Sequence, residues 1–431
     1  MKLVKRCFIA VSMLATGMSP VFSAETIEVW HALEPAHKAA LESLVKQFNR
    51  EQDDVVVKLQ AAPTMEALES SLRQVVASKK PLPHLVQLSD QHAPEAVAQA
   101  NRIMPLYELL AKYPIADAQW FLPQTTSFVR DSRGRLLALP YMAEIPVMFY
   151  NRDLFKKAGL NPDEPAKTWA DLQKQLIRLQ EAGVQCPYAS SRTVWIHQEN
   201  LASVNNKPFA SHNNGFDGAP APLLINSLLH VRHLALMTSW VRSRLLTQAS
   251  EGTEPDALFA KGECAVLTSG TGAWAQLGQS RFSAGVAPLP FTPDSSNKTP
   301  GAPLVGGSSF WVVAGHPTPQ QKATASFIAW LTKPAVAAQW HQATGFLPIT
   351  DAAARAADVS FYQKIPGAQQ VVQLVKTNAG KQRQGLRLTQ YPAVRAILAE
   401  ETMAALNGQK PPMKAQADAV ARTTQVLSGK R

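Results

Sequence analysis

The chain has 431 residues, of which 46% are hydrophobic and 17% are charged. This length fits two domains, or one domain of two lobes, with a large hydrophobic core, and the composition excludes disorder, collagen and coiled coil. Basic residues outnumber acidic ones by 43 to 32, and the net charge of +11 suits binding of nucleic acid, a membrane surface or small anions.

The first 23 residues are typical of a secretory signal peptide. Lys2, Lys5 and Arg6 precede an apolar stretch that is too short for a permanent membrane span, and small residues follow it. The residue directly after the predicted cleavage point is Ala24 and not a cysteine, so a lipid anchor is not expected. Loss of this segment leaves 40 basic against 32 acidic residues, a net charge of +8 on an exported, soluble chain. Nucleic-acid binding is a less expected function for a chain that is exported from the cytoplasm.

The chain beyond Glu25 alternates between strand and helix patterns. The predicted elements are strands at 26–30, 55–59 and 84–88 and helices at 41–48 and 65–76. This order predicts a parallel sheet covered by helices. Ligands of such sheets bind beyond the carboxyl ends of the strands, which indicates the turns after Trp30, Leu59 and Leu88.

A second unit of strands and helices begins near Ile145. A helix is predicted to start at Thr168, which can cap it by accepting the N–H of Asp171. The other predicted elements are strands at 146–150, 262–268 and 306–313 and helices at 151–158 and 321–332. The last third of the chain is mainly helical.

No catalytic or metal-binding motif stands out. The sequence lacks GxSxG, GxxxxGK[ST], GxGxxG, CxxC and HExxH, and its ten histidines are scattered. The turn at 269–272 is either a phosphate cradle or a plain connection. Two cysteines, Cys186 and Cys264, remain after the predicted cleavage, and they form either one disulfide or two buried thiols.

The run at 150–160, followed by the run at 168–172, resembles the signature of periplasmic solute-binding proteins of ABC importers, the large sugar-binding class. The segments at 258–266, 285–290 and 340–350 resemble family segments at corresponding places along the chain. The resemblance therefore covers essentially the whole mature chain. It implies two α/β lobes that close over one ligand by hinge motion and deliver it to a membrane permease.

Within this class the chain most resembles the members that bind glycerol phosphate. The segments that carry this resemblance are 30–31, 208–211, 213–218, 340–350 and 385–388. The implied ligand shell is matched in part, since the family's turn glycine corresponds to Gly307, its phosphate-binding arginine to Arg395 and an acid to Asp90. The alternatives are that Arg395 lies on a solvated helix face and that Gly307 serves only a tight turn.

Other positions of this shell depart from the family pattern. Glu144 and Gly270 each replace a serine, Phe346 replaces a tyrosine, a further tyrosine falls near Met65, and Arg192 replaces one of two tryptophans. Gly270 and Phe346 therefore remove two hydroxyl partners of a phosphate. Glu144 adds a negative charge, which opposes a phosphate dianion unless a cation intervenes.

These departures lead to a hypothesis about the ligand. It is a glycerophosphodiester with a cationic head group, whose ammonium meets Glu144 and the face of Trp30 or Trp195. The alternatives are that Glu144 only pairs with Arg192 and that Trp195 belongs to the lobe core.

We therefore expect an α/β protein with the type II periplasmic-binding-protein fold, in which a hinge and a ligand cleft lie between two lobes. After the signal peptide at 1–23, the first lobe is predicted to comprise 24–141 and 283–333, and the second 142–282 and 334–431. The expected location is the periplasm. No cofactor or metal is expected.

The expected function is capture of sn-glycerol 3-phosphate or a glycerophosphodiester by a monomer, which delivers it to the transmembrane subunits of an ABC permease without covalent chemistry. One alternative is an oligosaccharide- or polyol-binding protein of the same class, in which Arg192 and Arg395 would not face the cleft and aromatic platforms would dominate. Another is an exported hydrolase, which needs two carboxylates within catalytic reach.

Overall fold

The structure, a computed structural model, describes most of the chain. The described residues are 24–78, 81–91, 102–116, 118–123, 128–131, 133–278, 280–295, 298–376 and 385–429. The predicted signal peptide at 1–23 lies outside them. Within these ranges, no helix combines the length and the apolar character that crossing a membrane requires.

The first sheet has the strand order β2-β1-β3-β11-β4, and β5 also pairs with β11. Its strands are β1 (Glu25–His31), β2 (Val55–Ala61), β3 (Leu85–Ser89), β4 (Ile103–Met104), β5 (Leu139–Glu144) and β11 (Gly306–Val313). β1 runs parallel to β2 and β3, as the alternation of strands and helices predicts, whereas β11 runs antiparallel to its partners.

The second sheet has the order β10-β6-β9-β7-β8. Its strands are β6 (Pro146–Asn151), β7 (Cys186–Ser190), β8 (Leu246–Ala249), β9 (Cys264–Gly270) and β10 (Ala284–Pro288). β7 is parallel to β8 and β9, and β6 is antiparallel to β9 and β10. Strands β6 and β9 are fully buried, as expected for the centre of a sheet covered on both faces.

Helices pack on both sheets. The α-helices are Pro35–Glu51, Met65–Ser78, Leu106–Lys112, Arg152–Lys157, Trp169–Glu181, Asn200–Val204, Ser211–Gly215, Leu228–Arg242, Glu254–Ala260, Trp274–Leu277, Thr318–Leu331, Pro334–Thr344, Asp351–Ala356, Val359–Lys364, Ala368–Gln373, Tyr391–Leu406 and Pro412–Leu427. A π-helix (Trp195–Glu199) precedes Asn200–Val204, and a 3-10 helix (Thr271–Ala273) follows β9. The mixed α/β class predicted from the sequence is confirmed.

The helix Trp169–Glu181 shows how the local sequence sets an element. Thr168 Oγ1 accepts a hydrogen bond from the Asp171 backbone N–H at 3.1 Å and donates one to Asp171 Oδ2 at 2.8 Å. The predicted N-cap is therefore confirmed. The buried face of this helix consists of Trp169, Leu172, Leu176 and Leu179.

The sheets place two lobe boundaries elsewhere than the sequence predicts. The segment after Ser283 is predicted in the first lobe, but β10 pairs with β6 in the second sheet. The helix Pro334–Thr344 is predicted in the second lobe, but it packs on Pro35–Glu51 of the first. Periodicity tells which face of an element is buried and not which sheet the element joins, so these boundaries could not be read from the pattern.

The chain crosses from one sheet to the other at Ile145. Glu144, the last residue of β5, pairs with Gly306 of the first sheet. Pro146, the first residue of β6, pairs with Gly270 of the second. Glu144 therefore lies where the two lobes join.

A disulfide joins Cys186 in β7 to Cys264 in β9. The sequence left open whether these cysteines are bonded. The parallel register answers this, because it sets the two residues opposite each other on neighbouring strands, with their Cα atoms 4.5 Å apart. The bond ties together two central strands of the second sheet.

Candidate ligand-binding site

A cavity of about 590 Å³ is lined by residues of the first sheet and by residues that follow β7 and β8 of the second. Residues that follow β1 and β3 contribute to its wall, so the cavity lies at the carboxyl ends of parallel strands, as the order of elements predicts. The predicted site residues that line it are Met65, Asp90, Glu144, Arg192, Trp195, Gly307, Phe346 and Arg395. The structure thus brings together side chains that are up to 330 positions apart in the sequence.

Two predicted site residues, Trp30 and Gly270, do not line this cavity. Trp30 is only 9% exposed and packs in the hydrophobic core, and its indole N–H donates to Glu28 Oε2 at 3.4 Å. It is therefore not placed to stack on a ligand head group, which corrects that part of the hypothesis. Gly270 lies behind Glu144.

Arg395 is held by a pair of parallel hydrogen bonds to Glu199. Its Nε donates to Glu199 Oε1 at 2.7 Å and its Nη2 to Glu199 Oε2 at 2.6 Å, and Nη2 also lies 3.3 Å from Asp90 Oδ2. This bidentate geometry fixes the guanidinium plane. Among the described residues none accepts a hydrogen bond from Nη1, so its two N–H groups remain for a ligand.

The surroundings of Arg395 keep it charged. Burial disfavours the cation, but Asp90 and Glu199 more than offset this and raise the pKa of Arg395 well above its ordinary value. Burial raises the pKa of Asp90, and the nearby Arg395 opposes that shift. The alternative that Arg395 lies on a solvated helix face does not hold, since only 14% of its side chain is exposed.

Glu144 forms an ion pair with Arg192. Its other oxygen, Oε2, accepts a hydrogen bond from the Gly272 backbone N–H at 3.1 Å, and the residue is 2% exposed. The alternative that Glu144 pairs with Arg192 is therefore the one found. Because a guanidinium already neutralises this carboxylate, it is not free to bind a ligand ammonium, and the hypothesis is corrected on this point.

Gly270 is required by the position of Glu144. A Cβ atom at 270 would collide with the carboxylate of Glu144 and lie 3.1 Å from Arg192 Nη1. The backbone of Gly270, with φ of −75° and ψ of 159°, is one that any residue can adopt, so the constraint is steric alone. The two positions that replace serines of the family, Glu144 and Gly270, therefore depend on each other.

Gly270→Ala is expected to lower the free energy of unfolding by about 1–3 kcal/mol, because the added methyl group displaces the Glu144 carboxylate. Urea denaturation measures this loss. In a Glu144→Ala background the same substitution meets no carboxylate, so its effect should fall below about 0.5 kcal/mol. Equal effects in the two backgrounds would show that Glu144 does not occupy this space.

The aromatic rings at the cavity are already in contact with other groups. The Arg192 guanidinium lies 5.7 Å from the centroid of the Trp195 ring. The Phe346 ring lies 4.5 Å from that of His37 and 5.9 Å from that of Trp340. Trp195, itself 4% exposed, therefore serves partly as core and partly as a support for Arg192.

Gly307 positions Asp90. Its φ of 100° lies in the left-handed region, and a Cβ there would collide with the backbone oxygen of Met142. This backbone lets the Gly307 carbonyl accept the N–H of Asp90 at 2.9 Å. The residue thus holds the cleft carboxylate that faces Arg395.

Four acidic residues at the site were not predicted, namely Glu34, Glu66, Glu199 and Glu251. Glu251 lines the cavity, and its Oε1 accepts hydrogen bonds from the Thr193 hydroxyl and from the Val194 backbone N–H at 3.0 Å. Glu251 is exposed to solvent, and partial desolvation raises its pKa to about 7. Glu199 lies one helical turn after Trp195, and this spacing from a predicted site residue is the sequence signal that could have indicated it. The loop that carries Glu251 offers no pattern.

The cavity has more negative than positive groups. Five carboxylates line it, against two guanidiniums, and both guanidiniums are ion-paired. The carboxylates are Glu34, Glu66, Asp90, Glu144 and Glu251. No described cation lies within ion-pair distance of three of them, Glu34, Glu66 and Glu251. The basic surplus of the whole chain is therefore reversed inside the cleft.

Polar contacts also cross from one lobe to the other. The Thr253 hydroxyl of the second lobe donates to Glu34 Oε1 of the first at 2.8 Å. His37 Nε2 lies 3.0 Å from the Gly272 carbonyl oxygen. With the Asp90 to Arg395 contact, these hold the lobes together around the cavity. Across the described residues, no group of three or more potential metal ligands was found.

The sequence model of the bacterial extracellular solute-binding protein family matches residues 43–367 of this chain. The chain is 34% identical over 427 residues to the sn-glycerol-3-phosphate-binding periplasmic protein UgpB of Escherichia coli (strain K12), with 96% of each chain covered. It is 32% identical over 425 residues to UgpB of Yersinia enterocolitica, covering 97% of this chain and 96% of that protein.

In structure, the chain is similar to maltose-bound MalE3 of T. maritima, with a TM-score of 0.76 and 17% identity over 94% of this chain and 100% of that one. It is also similar to UgpB from Mycobacterium tuberculosis in complex with glycerophosphocholine, with a TM-score of 0.73 and 20% identity over 94% and 99% of the two chains. At these identities the likeness establishes the two-lobed fold.

Proposed function

This chain belongs to the bacterial extracellular solute-binding proteins, and from that premise we propose that it captures a glycerophosphodiester with a cationic head group. It acts in the periplasm as the binding component of an ABC importer and delivers the ligand to the transmembrane permease. It works as a monomer and carries out no covalent chemistry. Closure of the two lobes over the ligand is the motion that the fold provides.

The charge balance of the cavity is the observation that carries this proposal. A phosphate monoester such as sn-glycerol 3-phosphate carries about −1.5 to −2 charges near neutral pH. Five carboxylates against two paired guanidiniums repel such a dianion. A phosphodiester carries one negative charge, and the free N–H groups of Arg395 can donate hydrogen bonds to it. A cationic head group balances part of the excess of carboxylates.

The two alternative functions agree less well with the cleft. An oligosaccharide site relies on aromatic platforms, whereas Trp195 supports Arg192 and Phe346 packs on His37. Both Arg192 and Arg395 line the cavity, which favours a phosphorylated ligand. A hydrolase needs two carboxylates within catalytic reach; Asp90 and Glu144 are ion-paired with these arginines, and the relatives of this chain are solute-binding proteins.

A thermal-shift screen tests the proposed function on the mature chain. We expect glycerophosphoethanolamine or glycerophosphocholine to raise the melting temperature, since a ligand at about 100 times its Kd adds about 2.7 kcal/mol of apparent stability. sn-Glycerol 3-phosphate and maltose should have little effect. A strong shift with sn-glycerol 3-phosphate and none with either diester would contradict the proposal.

A further inference from the structure

Glu251 is a cavity carboxylate that donors of its own lobe fix in place and that no described cation pairs with. Glu251 Oε1 is held by the Thr193 hydroxyl and the Val194 N–H, and no described group donates to its Oε2. Glu34 differs, because its Oε1 accepts from Thr253 of the other lobe. Glu66 differs too, since it lies in the exposed first turn of its helix without a fixing donor.

Glu251 and Arg395, the residue that we propose binds the phosphate, line the same cavity. The Arg395 guanidinium is close enough to act electrostatically on Glu251, and so is Glu199. The free Nη1 of Arg395 and the free Oε2 of Glu251 therefore offer a donor for a phosphate and an acceptor for a cation in one cavity. This matches a head group in which an ammonium follows a phosphodiester.

The kind of cation follows from the lining. A quaternary ammonium has no N–H to donate and is recognised by the faces of aromatic rings. The described rings at the cavity are His37, Trp195 and Phe346, and each is already packed on another ring or on Arg192. What the cavity offers instead is an acceptor oxygen, which suits a primary ammonium with three N–H donors.

We propose that Glu251 is the specificity-determining residue of this cleft, and that it binds a primary ammonium in the head group of a glycerophosphodiester in preference to a quaternary one. This inference rests on the proposed function and deepens it. Glycerophosphoethanolamine is the simplest ligand with the required groups.

Titration calorimetry of the mature chain with three diesters tests the inference. The probes are glycerophosphoethanolamine, glycerophosphocholine and glycerophosphoglycerol, whose head groups are a primary ammonium, a quaternary ammonium and a neutral diol. We expect glycerophosphoethanolamine to bind at least about tenfold more tightly than the other two, since a charge-assisted hydrogen bond is worth roughly 1.5–3 kcal/mol. Glu251→Gln should remove this preference and change binding of glycerophosphoglycerol by less than about threefold.

Glu254→Gln is the matched control. Glu254, three positions later, is the first residue of the helix Glu254–Ala260, accepts a hydrogen bond from Ser250 at 2.7 Å and does not line the cavity. This variant should keep the wild-type preference. A merely structural role of Glu251 would weaken all three diesters together.

The pH profile is a second readout. Glu251, with its pKa raised to about 7, binds an ammonium when ionised, so affinity should fall as the pH drops from 8 to 6, by about tenfold. The charged groups that face it from neighbouring helices, Arg395 and Glu199, act on all three diesters alike. Glycerophosphoglycerol should therefore lack this extra pH dependence, and Glu251→Gln should abolish it for glycerophosphoethanolamine.

The outcomes separate the two proposals. If glycerophosphocholine binds as tightly as glycerophosphoethanolamine, or if Glu251→Gln leaves their ratio unchanged, the role of Glu251 is overturned while the proposed function stands. If none of the diesters binds, the proposed function fails and takes this inference with it.

Discussion

Arg395→Met is expected to abolish binding of every glycerophosphodiester and to lower the free energy of unfolding by about 3–5 kcal/mol. The substitution removes the only free guanidinium donors that we place at the phosphate. It also leaves Glu199, whose side chain is 1% exposed, as a buried charge without its partner. Titration calorimetry measures the loss of binding, and urea denaturation measures the loss of stability.

A double variant separates these two effects. In Arg395→Met with Glu199→Gln, both charges of the buried pair are gone, so most of the lost stability should return, because a neutral replacement of a buried ion pair is often tolerated. Binding should remain absent. If Arg395→Met folds and still binds a diester with wild-type affinity, Arg395 is not the phosphate-binding residue.

Reduction of the disulfide is expected to lower the free energy of unfolding by about 2–4 kcal/mol. Cys186 and Cys264 are 78 residues apart in sequence, so the bond closes a long loop and restricts the unfolded chain. Urea denaturation with and without reductant measures the change. In a Cys186→Ala, Cys264→Ala variant the reductant should have no effect. Identical unfolding curves of the oxidised and reduced wild type would contradict this expectation.

The fold could be predicted largely because apolar spacing is local information. The strand predicted at 26–30 is β1 at Glu25–His31, and the one at 55–59 is β2 at Val55–Ala61. The placement of β10 could not be predicted, since its apolar pattern fits either sheet and only long-range pairing with β6 decides. The disulfide needed the same long-range information, namely the register of β7 and β9.

The part of the candidate site that could be predicted came from matching residues to the ligand shell of the resembled family. Arg395, Asp90 and Gly307 line the cavity that the family resemblance implies. The ion pairs could not be predicted from the sequence. Whether Glu144 binds a ligand or pairs with Arg192 depends on the geometry across two lobes. The burial of Trp30 likewise depends on what packs against β1 and not on its place near the carboxyl end of that strand.

The place where the chain crosses between the sheets has a consequence for how a ligand is chosen. Glu144 lies one residue before the crossing point at Ile145, so its ion pair with Arg192 lies beside a segment about which a hinge motion of the lobes would turn. A contact near an axis changes little in length during rotation, whereas Asp90 and Arg395 lie on separate lobes and part as the cleft opens. The Glu144 and Arg192 charges therefore cancel in the open and the closed state alike. On the proposed function, a ligand that enters the open cleft would therefore meet Glu251 and Arg395 with the Glu144 and Arg192 charges already neutralised.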